Sequence, residues 1–374
     1  MKKKIAITIL ASVLVFAVLS SCTDRDIGEP ETEPSATQTE APAPTLVPTP
    51  TSTPTPTPTP EPEGDTVSPF FININRDAWI AVGNEFDIND FISYIDDQDA
   101  DIDLQITGEV DTSTLGTYHL DLVITDDWGN TASDSMNVTV FQPVDTGDTS
   151  NNTGTTTDNA TPFSDFIASY PGDNVHYGID VSKWQGAIDW NQVAAAGCEF
   201  AFVRAGWSSE GEFHEDEYFR TNMEGAAAAG IPIGVYVYTT DNTEEYVTLL
   251  ADTICDLCAG YNVSLPIVFD WENFFGNFQK YNLSIADINY LYDVFDAEVQ
   301  NRGMTSMLYG SKFIMDVIWD DDIENVWLAH YTSQTDYAGP YAVWQQSCNG
   351  TIPGIDAYVD MDLYYGELPG GTNG

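Results

Sequence analysis

The chain has 374 residues, enough for two or three domains of ordinary size. Its 59 acidic residues against 11 lysines and arginines give a formal net charge of −48. A field of that sign excludes nucleic acid and anionic lipid as charge-driven partners, because phosphate binding needs a basic patch that this composition does not supply.

Residues 1–21 place Lys2, Lys3 and Lys4 before an apolar run from Ile5 to Leu19, the layout of a secretory signal peptide. The run is short for a membrane span. Leu19-Ser20-Ser21-Cys22 resembles the lipobox of bacterial lipoproteins, which implies cleavage before Cys22 and a lipid on its sulfur. The expected location is therefore extracytoplasmic, anchored to the cell membrane through that lipid alone and facing the cell wall. Residues 22–66 form a Pro/Thr-rich linker that repeats Thr-Pro from Pro48 to Pro60. An extended polyproline-type chain of this length, at about 3.1 Å per residue, reaches on the order of 100 Å.

Over 67–142, short β-type runs (FFININ, AWIAV, IDLQIT, TYHLDLVIT, SMNVTVF) alternate with turn signals, which predicts an all-β sandwich. GEVDTSTLGTYHLDLVITDDWGNTASDSMNVTV, with Asp111, Gly116-Thr117-Tyr118, Asp126 and Gly129-Asn130, resembles the Ig-like modules of bacterial surface proteins. The run DDQDADID sets Asp97, Asp99, Asp101 and Asp103 at alternate positions, but Ile102 and Gly108 stand where an EF-hand needs glycine and an acid. The reading is a solvated acidic turn, with calcium as its alternative. Residues 143–169, rich in Thr, Asn, Asp and Gly, are expected as a flexible linker.

From 170 to 366 the pattern changes, leaving 367–374 as a tail. Eight strand-length runs follow one another: YGIDVS, FAFVRAGW, IPIGVYVYT, LPIVFDWE, TSMLYG, VWLAHY, AVWQQS and AYVDMDLYY. Helix-like stretches separate the early ones, and only loops separate the last three. Alternating strand and helix predicts an α/β fold with a parallel sheet closed into a barrel. Chemistry in such barrels gathers at the C-terminal strand ends. Those ends carry Asp180, Arg204, Tyr236 and Tyr238, Asp270 and Glu272, Tyr309, His330, Trp344 and Gln345, and Asp360 and Asp362.

The fourth run is the most telling. LPIVFDWE starts as core and finishes with Asp270 and Glu272 on one face, roughly 6–7 Å apart along the strand rise. An acidic mouth lined with aromatic rings is what cleavage of a sugar chain requires: one acid to protonate the leaving oxygen, other carboxylates to stabilise positive charge at the anomeric carbon, and rings to stack on pyranose faces.

GIDVSKWQGAIDW at 178–190, FVRAGW at 202–207, Asp216 with Phe219 and Asn222, AAGIPIGVYVY at 228–238, LPIVFDWE at 265–272, WLAHY at 327–331 and YVDMDLY at 358–364 occur in order. Together they resemble glycoside hydrolase family 25, the N-acetylmuramidase lysozymes. The resemblance implies a flattened (βα)5β3 barrel acting on peptidoglycan at the β-1,4 bond between N-acetylmuramic acid and N-acetylglucosamine. It makes Glu272 the proton donor, with Asp270, Asp180 and Asp360 as the other catalytic acids. Trp184, Arg204, Tyr236, Tyr238, Tyr309, Trp344 and Gln345 become substrate-binding residues. Asp270 is expected to raise the pKa of Glu272, and substrate-assisted retention by the muramyl acetamido group is the preferred mechanism. Val237 stands where many relatives have His, Asp362 where they have a neutral residue, and Gln346 where they have Tyr; these differences bear on the pocket walls.

Neither a cofactor nor a metal is expected. The four histidines, His119, His176, His214 and His330, lack ligand spacing, which argues against a zinc amidase or peptidase. Cys255 and Cys258 have C-x-x-C spacing inside a helical stretch without a second pair nearby, so they are assigned to a helix face or to a disulfide with Cys198 or Cys348. The alternative to an active enzyme is a catalytically weak, peptidoglycan-binding surface lipoprotein that keeps the groove.

Overall fold

The computed structural model describes residues 64–143, 160–276 and 278–368. The expected signal peptide, Cys22, the Thr-Pro spacer and most of the expected second linker lie outside the described residues.

The first folded region contains β1 (Phe70–Ile74), β2 (Asp77–Ala81), β3 (Ile92–Ile95), β4 (Asp103–Thr107), β5 (Gly116–Thr125) and β6 (Thr131–Phe141). A four-stranded sheet runs β2-β6-β5-β4, and β1 pairs with β3. Alternation buries Leu120, Leu122 and Ile124 of β5 with Met136, Val138 and Val140 of β6 in one core, as a half-buried antiparallel pair requires. The sequence reading lacks β3. All four of its residues are buried, so the strand shows no polar face and no period of two. Ile92 and Tyr94 belong to the module's own core, whereas Ile95, with Ile72, joins the core of the second region.

The second region contains β7 (Thr161–Pro162), α1 (Phe163–Ser169), β8 (Val175–Val181), α2 (Trp190–Ala195), β9 (Phe200–Ser209), β10 (Glu212–Glu215) and α3 (Phe219–Ala228). It continues through β11 (Ile233–Thr239), α4 (Glu244–Cys258), β12 (Ile267–Trp271), α5 (Ile285–Asn301), β13 (Ser306–Ser311), α6 (Lys312–Val317), β14 (Val326–Ala329), β15 (Val343–Thr351) and β16 (Val359–Tyr365). Parallel pairing joins β8, β9, β11, β12, β13, β14 and β15 in turn. β16 runs antiparallel to both β15 and β8 and closes the ring, giving five βα units followed by three strands. β10 folds back on β9 as a hairpin outside the ring.

The expected linker over 143–169 is too long. Thr161–Pro162 pairs with β15, and α1 buries Phe163 and Phe166 against the barrel, so these residues are part of it. The helices start at side-chain caps, among them Thr243 before α4, Ser284 in a capping box before α5 and Ser311 before α6. Cys255 and Cys258 lie on the buried face of α4, and burial pushes the Cys258 thiol up to about 12. Among the described residues there is no disulfide.

Strand alternation sorts the barrel into two shells. Outward residues such as Ile179, Val203, Val235, Phe269, Leu308, Leu328 and Met361 pack under the helices. Inward ones, Phe200, Phe202, Val268, Met307, Trp327 and Val343, fill the interior. Gly234 leaves room for this packing, since a Cβ there would fall 2.2 Å from the Phe202 ring. Trp327 is the hub: Phe202 stacks on it at 4.6 Å, while Tyr309 and Tyr236 meet it edge-on at 4.9 and 5.8 Å. This aromatic plug forms the floor beneath the polar mouth.

Candidate active site

Above the Trp327 plug, the same inward face turns polar. Tyr236 lies opposite Arg204, Tyr238 opposite Asp270, Asp180 opposite Asp360, and Asp362 opposite Gln345 in the strand register. Because β16 is reversed, its N-terminal end, not its C-terminal end, reaches the mouth. Asp360 therefore stands level with Asp180, and Asp362 lies one inward step deeper, level with Gly178.

Gln345 ties the first strand to the fifth and sixth units. Its Nε2 donates to Asp180 Oδ2 at 2.8 Å, and its Oε1 accepts from the hydroxyls of Tyr309 (2.9 Å) and Tyr331 (2.8 Å). Two donors on Oε1 fix the amide's orientation, so its N–H is committed to the Asp180 carboxylate.

Arg204 is held from the other side. Asp216 Oδ2 accepts from Arg204 Nε at 2.9 Å, lies 2.8 Å from Nη2, and also accepts from Lys183 N at 2.9 Å. Asp216 Oδ1 takes Tyr218 N at 2.9 Å. One buried carboxylate thus joins β9, the start of α3 and the 3-10 turn Lys183–Gln185, which carries the exposed Trp184 to the rim. Ser182 and Gln185 close that turn as a capping box.

Asp270 and Glu272 differ in setting. Asp270 is buried, and its Oδ1 has no hydrogen-bond partner. Burial first, then the charges of Glu272 and Asp180, push its carboxyl well above the usual carboxylate range, with Arg204 pulling the other way. Glu272 lies past the strand end and is half-buried, toward the opening. The repulsion that the sequence reading invokes between these two acids is present, and at Asp270 it adds to the larger effect of burial. Asn273, with φ of 79°, then breaks the strand, and its Nδ2 donates to Tyr281 at 2.9 Å. Trp271 faces away from the mouth, packed on Phe274, Phe278 and Tyr281, with its Nε1 on Asp241 O.

The structure brings Asp180, Asp270, Glu272, Asp360, Arg204, Tyr236, Tyr238, Tyr309 and Gln345 to one mouth, with Trp184 on its rim. It does not bring Trp344 there. Trp344 and Gln345 are consecutive on a strand, so only one can point inward. Trp344 is buried in the outer shell, edge-on to Tyr170 at 5.6 Å, with its Nε1 donating to His330 O.

Two mouth residues, Tyr331 and Trp207, have no role in the sequence assignment, and Asp362, placed there at a strand end, lies deeper. Tyr331, the last residue of WLAHY, donates to Gln345. Trp207, the last residue of FVRAGW, shares a register position with Tyr238 because a bulge after Arg204 shifts the alternation by one. It stacks on His214 at 4.0 Å. Asp362 is fully buried, accepts from Trp327 Nε1 at 2.8 Å, and is pushed well above the carboxylate range by burial and by Asp180 and Asp360.

This shift makes stability depend on pH. A carboxyl whose folded pKa lies above its unfolded value binds its proton more tightly when folded, so stability falls as pH rises from about 4, the unfolded Asp value, through the raised folded value. We expect Asp362→Asn, which keeps the acceptor for Trp327, to flatten this slope and raise the melting midpoint at neutral pH. Melting curves of both proteins between pH 4.5 and 8 check it, and parallel profiles would contradict it.

A closed barrel with buried acids, fixed donors and aromatic rings at one mouth has the parts that glycoside hydrolysis needs. Residues 179–355 match the family described as glycosyl hydrolases family 25, and residues 71–140 the bacterial surface protein Ig-like domain. The chain therefore carries a family 25 glycoside hydrolase domain preceded by an Ig-like module. Over 203 residues it is 29% identical to lysozyme M1 of Streptomyces globisporus, covering 51% of this chain and 68% of that protein. It is 28% identical over 202 residues to the autolytic lysozyme of Clostridium acetobutylicum, covering 52% of this chain and 58% of that protein. A bacterial lysozyme structure from Streptomyces coelicolor aligns with a TM-score of 0.44 at 24% identity, over 52% of this chain and 94% of that one.

Proposed function

We propose that the protein is a lipid-anchored lysozyme that hydrolyses peptidoglycan between N-acetylmuramic acid and N-acetylglucosamine. The observation that carries the reading is the pairing of a buried Asp270 with a half-buried Glu272 at the mouth that also holds Asp180, Asp360 and Tyr309.

Two adjacent like charges titrate as a pair and hold one proton between them over part of the pH range. Chemistry needs that proton on Glu272, which faces the opening where a leaving oxygen enters. An N-acetyl group in the site supplies the means: its N–H donates to Asp270, favours the ionised form of that acid and leaves the proton with Glu272. The acetamido oxygen then attacks the anomeric carbon as the glycosidic bond breaks and Glu272 protonates the departing oxygen. Asp180 and Asp360 stabilise the positive charge of the oxazolinium, and water activated by Glu272 opens it with retention. Release of reducing ends from purified peptidoglycan tests turnover against the binding-protein alternative, in which ends do not accumulate.

Location rests on the Leu19-Ser20-Ser21-Cys22 motif. Cys22→Ser is expected to move the protein from the membrane fraction to the medium or to leave it as uncleaved precursor. Fractionation with N-terminal sequencing reads this, and unchanged membrane retention with normal processing would contradict the anchor.

A further inference from the structure

The Ig-like module holds a second group of acids, assembled from three separate segments. Asp65 precedes β1, Asp96 and Asp99 follow β3, and Asp126 lies in the turn between β5 and β6. Each offers one carboxylate oxygen, and these oxygens all lie within 4.8 Å of one another. Of the other acids of DDQDADID, Asp101 and Asp103 face solvent and the half-buried Asp97 is outside the group, so the alternating pattern in the sequence is not what builds it.

The carboxylates are divided in their use. Asp96 Oδ1 accepts from Gln98 N and Asp99 N at 3.0 and 2.9 Å, Asp126 Oδ1 from Trp128 N and Asn130 N at 2.9 and 2.8 Å, and Asp65 Oδ1 from Val67 N at 3.0 Å. The remaining oxygens of three of these acids, Asp65 Oδ2, Asp96 Oδ2 and Asp99 Oδ2, are buried without a hydrogen-bond partner, and Asp96 as a residue is fully buried. An ionised oxygen with neither water nor donor is costly, and several turned into one small volume add mutual repulsion. A cation removes both costs.

We infer that Asp65, Asp96, Asp99 and Asp126 form a calcium site in the Ig-like module. Calcium takes 6–8 oxygens at about 2.3–2.6 Å, so two ligands across one ion lie up to about 5 Å apart, as these do. The donor set is all carboxylate oxygen, which disfavours zinc and copper, and a cage of four carboxylates suits calcium better than magnesium, which usually keeps several waters and takes only one or two carboxylates.

The site's position gives it a role. The carbonyls of Asp96 and Asp97 accept from Ile285 N and Ala286 N, at 2.9 and 3.1 Å, in the first turn of α5 of the barrel. The neighbouring Ile95 is packed into the barrel core. An ion bound by Asp96 and Asp99 therefore stiffens the loop that carries the module's contact with α5, and Asp65 ties the start of the module into the same ion.

The test uses residues 23–374, stripped with chelator and titrated with calcium chloride by calorimetry, alongside melting curves. One calcium per chain is expected, with a dissociation constant of about 10⁻⁴–10⁻³ M or tighter, as in other extracellular modules. A raised melting midpoint should accompany it, with weaker binding of magnesium. Asp99→Asn, at a half-buried position, is expected to weaken calcium at least about tenfold, the loss of one charged ligand in four, while melting like the stripped wild type. Hydrogen exchange at the Ile285 and Ala286 amides should slow on adding calcium in the wild type only. No binding at 10-fold above that range, equal binding by Asp99→Asn, or equal preference for magnesium would overturn the site; binding without a change in exchange would overturn its role at the joint.

Discussion

Glu272→Gln is expected to lower turnover on peptidoglycan by about 100-fold or more while leaving the fold and glycan binding intact. Gln keeps the shape of the side chain and loses the proton, and general acid catalysis contributes roughly 10²–10⁴-fold. Glu272 is half-buried at the end of β12 and outside its ladder, so the change removes no strand pairing. It also removes a charge that raises Asp270, so that carboxyl should titrate lower in the variant. Initial rates of reducing-end release, with pelleting on insoluble peptidoglycan as the binding control, separate chemistry from affinity. Near-normal turnover would place the acid elsewhere.

The largest expected effect on stability comes from Asp216→Ala. The Arg204 and Asp216 side chains are 9% and 1% exposed, and Asp216 also accepts from Lys183 N and Tyr218 N. Removing one partner of a buried ion pair costs about 3–5 kcal/mol, because the other charge stays in a poorly solvated place. Two backbone N–H groups lose their acceptor as well. The exposed pair Arg220–Glu215 provides the comparison, since solvent already screens it and Arg220→Ala should be the milder change. Denaturant unfolding of the three proteins measures both, and a loss below about 1 kcal/mol for Asp216→Ala would contradict the account of that pair. Because Asp216 fixes the turn bearing Trp184, affinity for glycan should weaken in the same variant.

Much of the barrel was legible because its strands are buried on both sides and separated by capped helices, a pattern that survives in one dimension. The mouth was legible wherever alternation ran unbroken, as at Asp180, Asp270 and Tyr309. It failed where alternation was misapplied or interrupted. Trp344 and Gln345 cannot share a face, and the bulge after Arg204 hides Trp207 from a count by twos. The reversal of β16 is a property of the closed sheet, so the levels of Asp360 and Asp362 could not be read from strand ends. Asp65 and Asp126 lie 61 residues apart in the chain and meet Asp96 only through tertiary folding, which no local motif records. β3 was lost for the opposite reason, being buried too thoroughly to alternate.

The proposed function requires that this mouth cut on the reducing side of N-acetylmuramic acid. A peptidoglycan strand offers two glycosidic linkages, and an acidic mouth of this kind serves a muramyl or a glucosaminyl acetamido group equally well in principle. Digestion of purified peptidoglycan, followed by borohydride reduction and mass spectrometry of the fragments, reads the new ends directly. Reduced muramic acid at those ends is the expected result, whereas reduced glucosamine, or no new reducing ends, would contradict it.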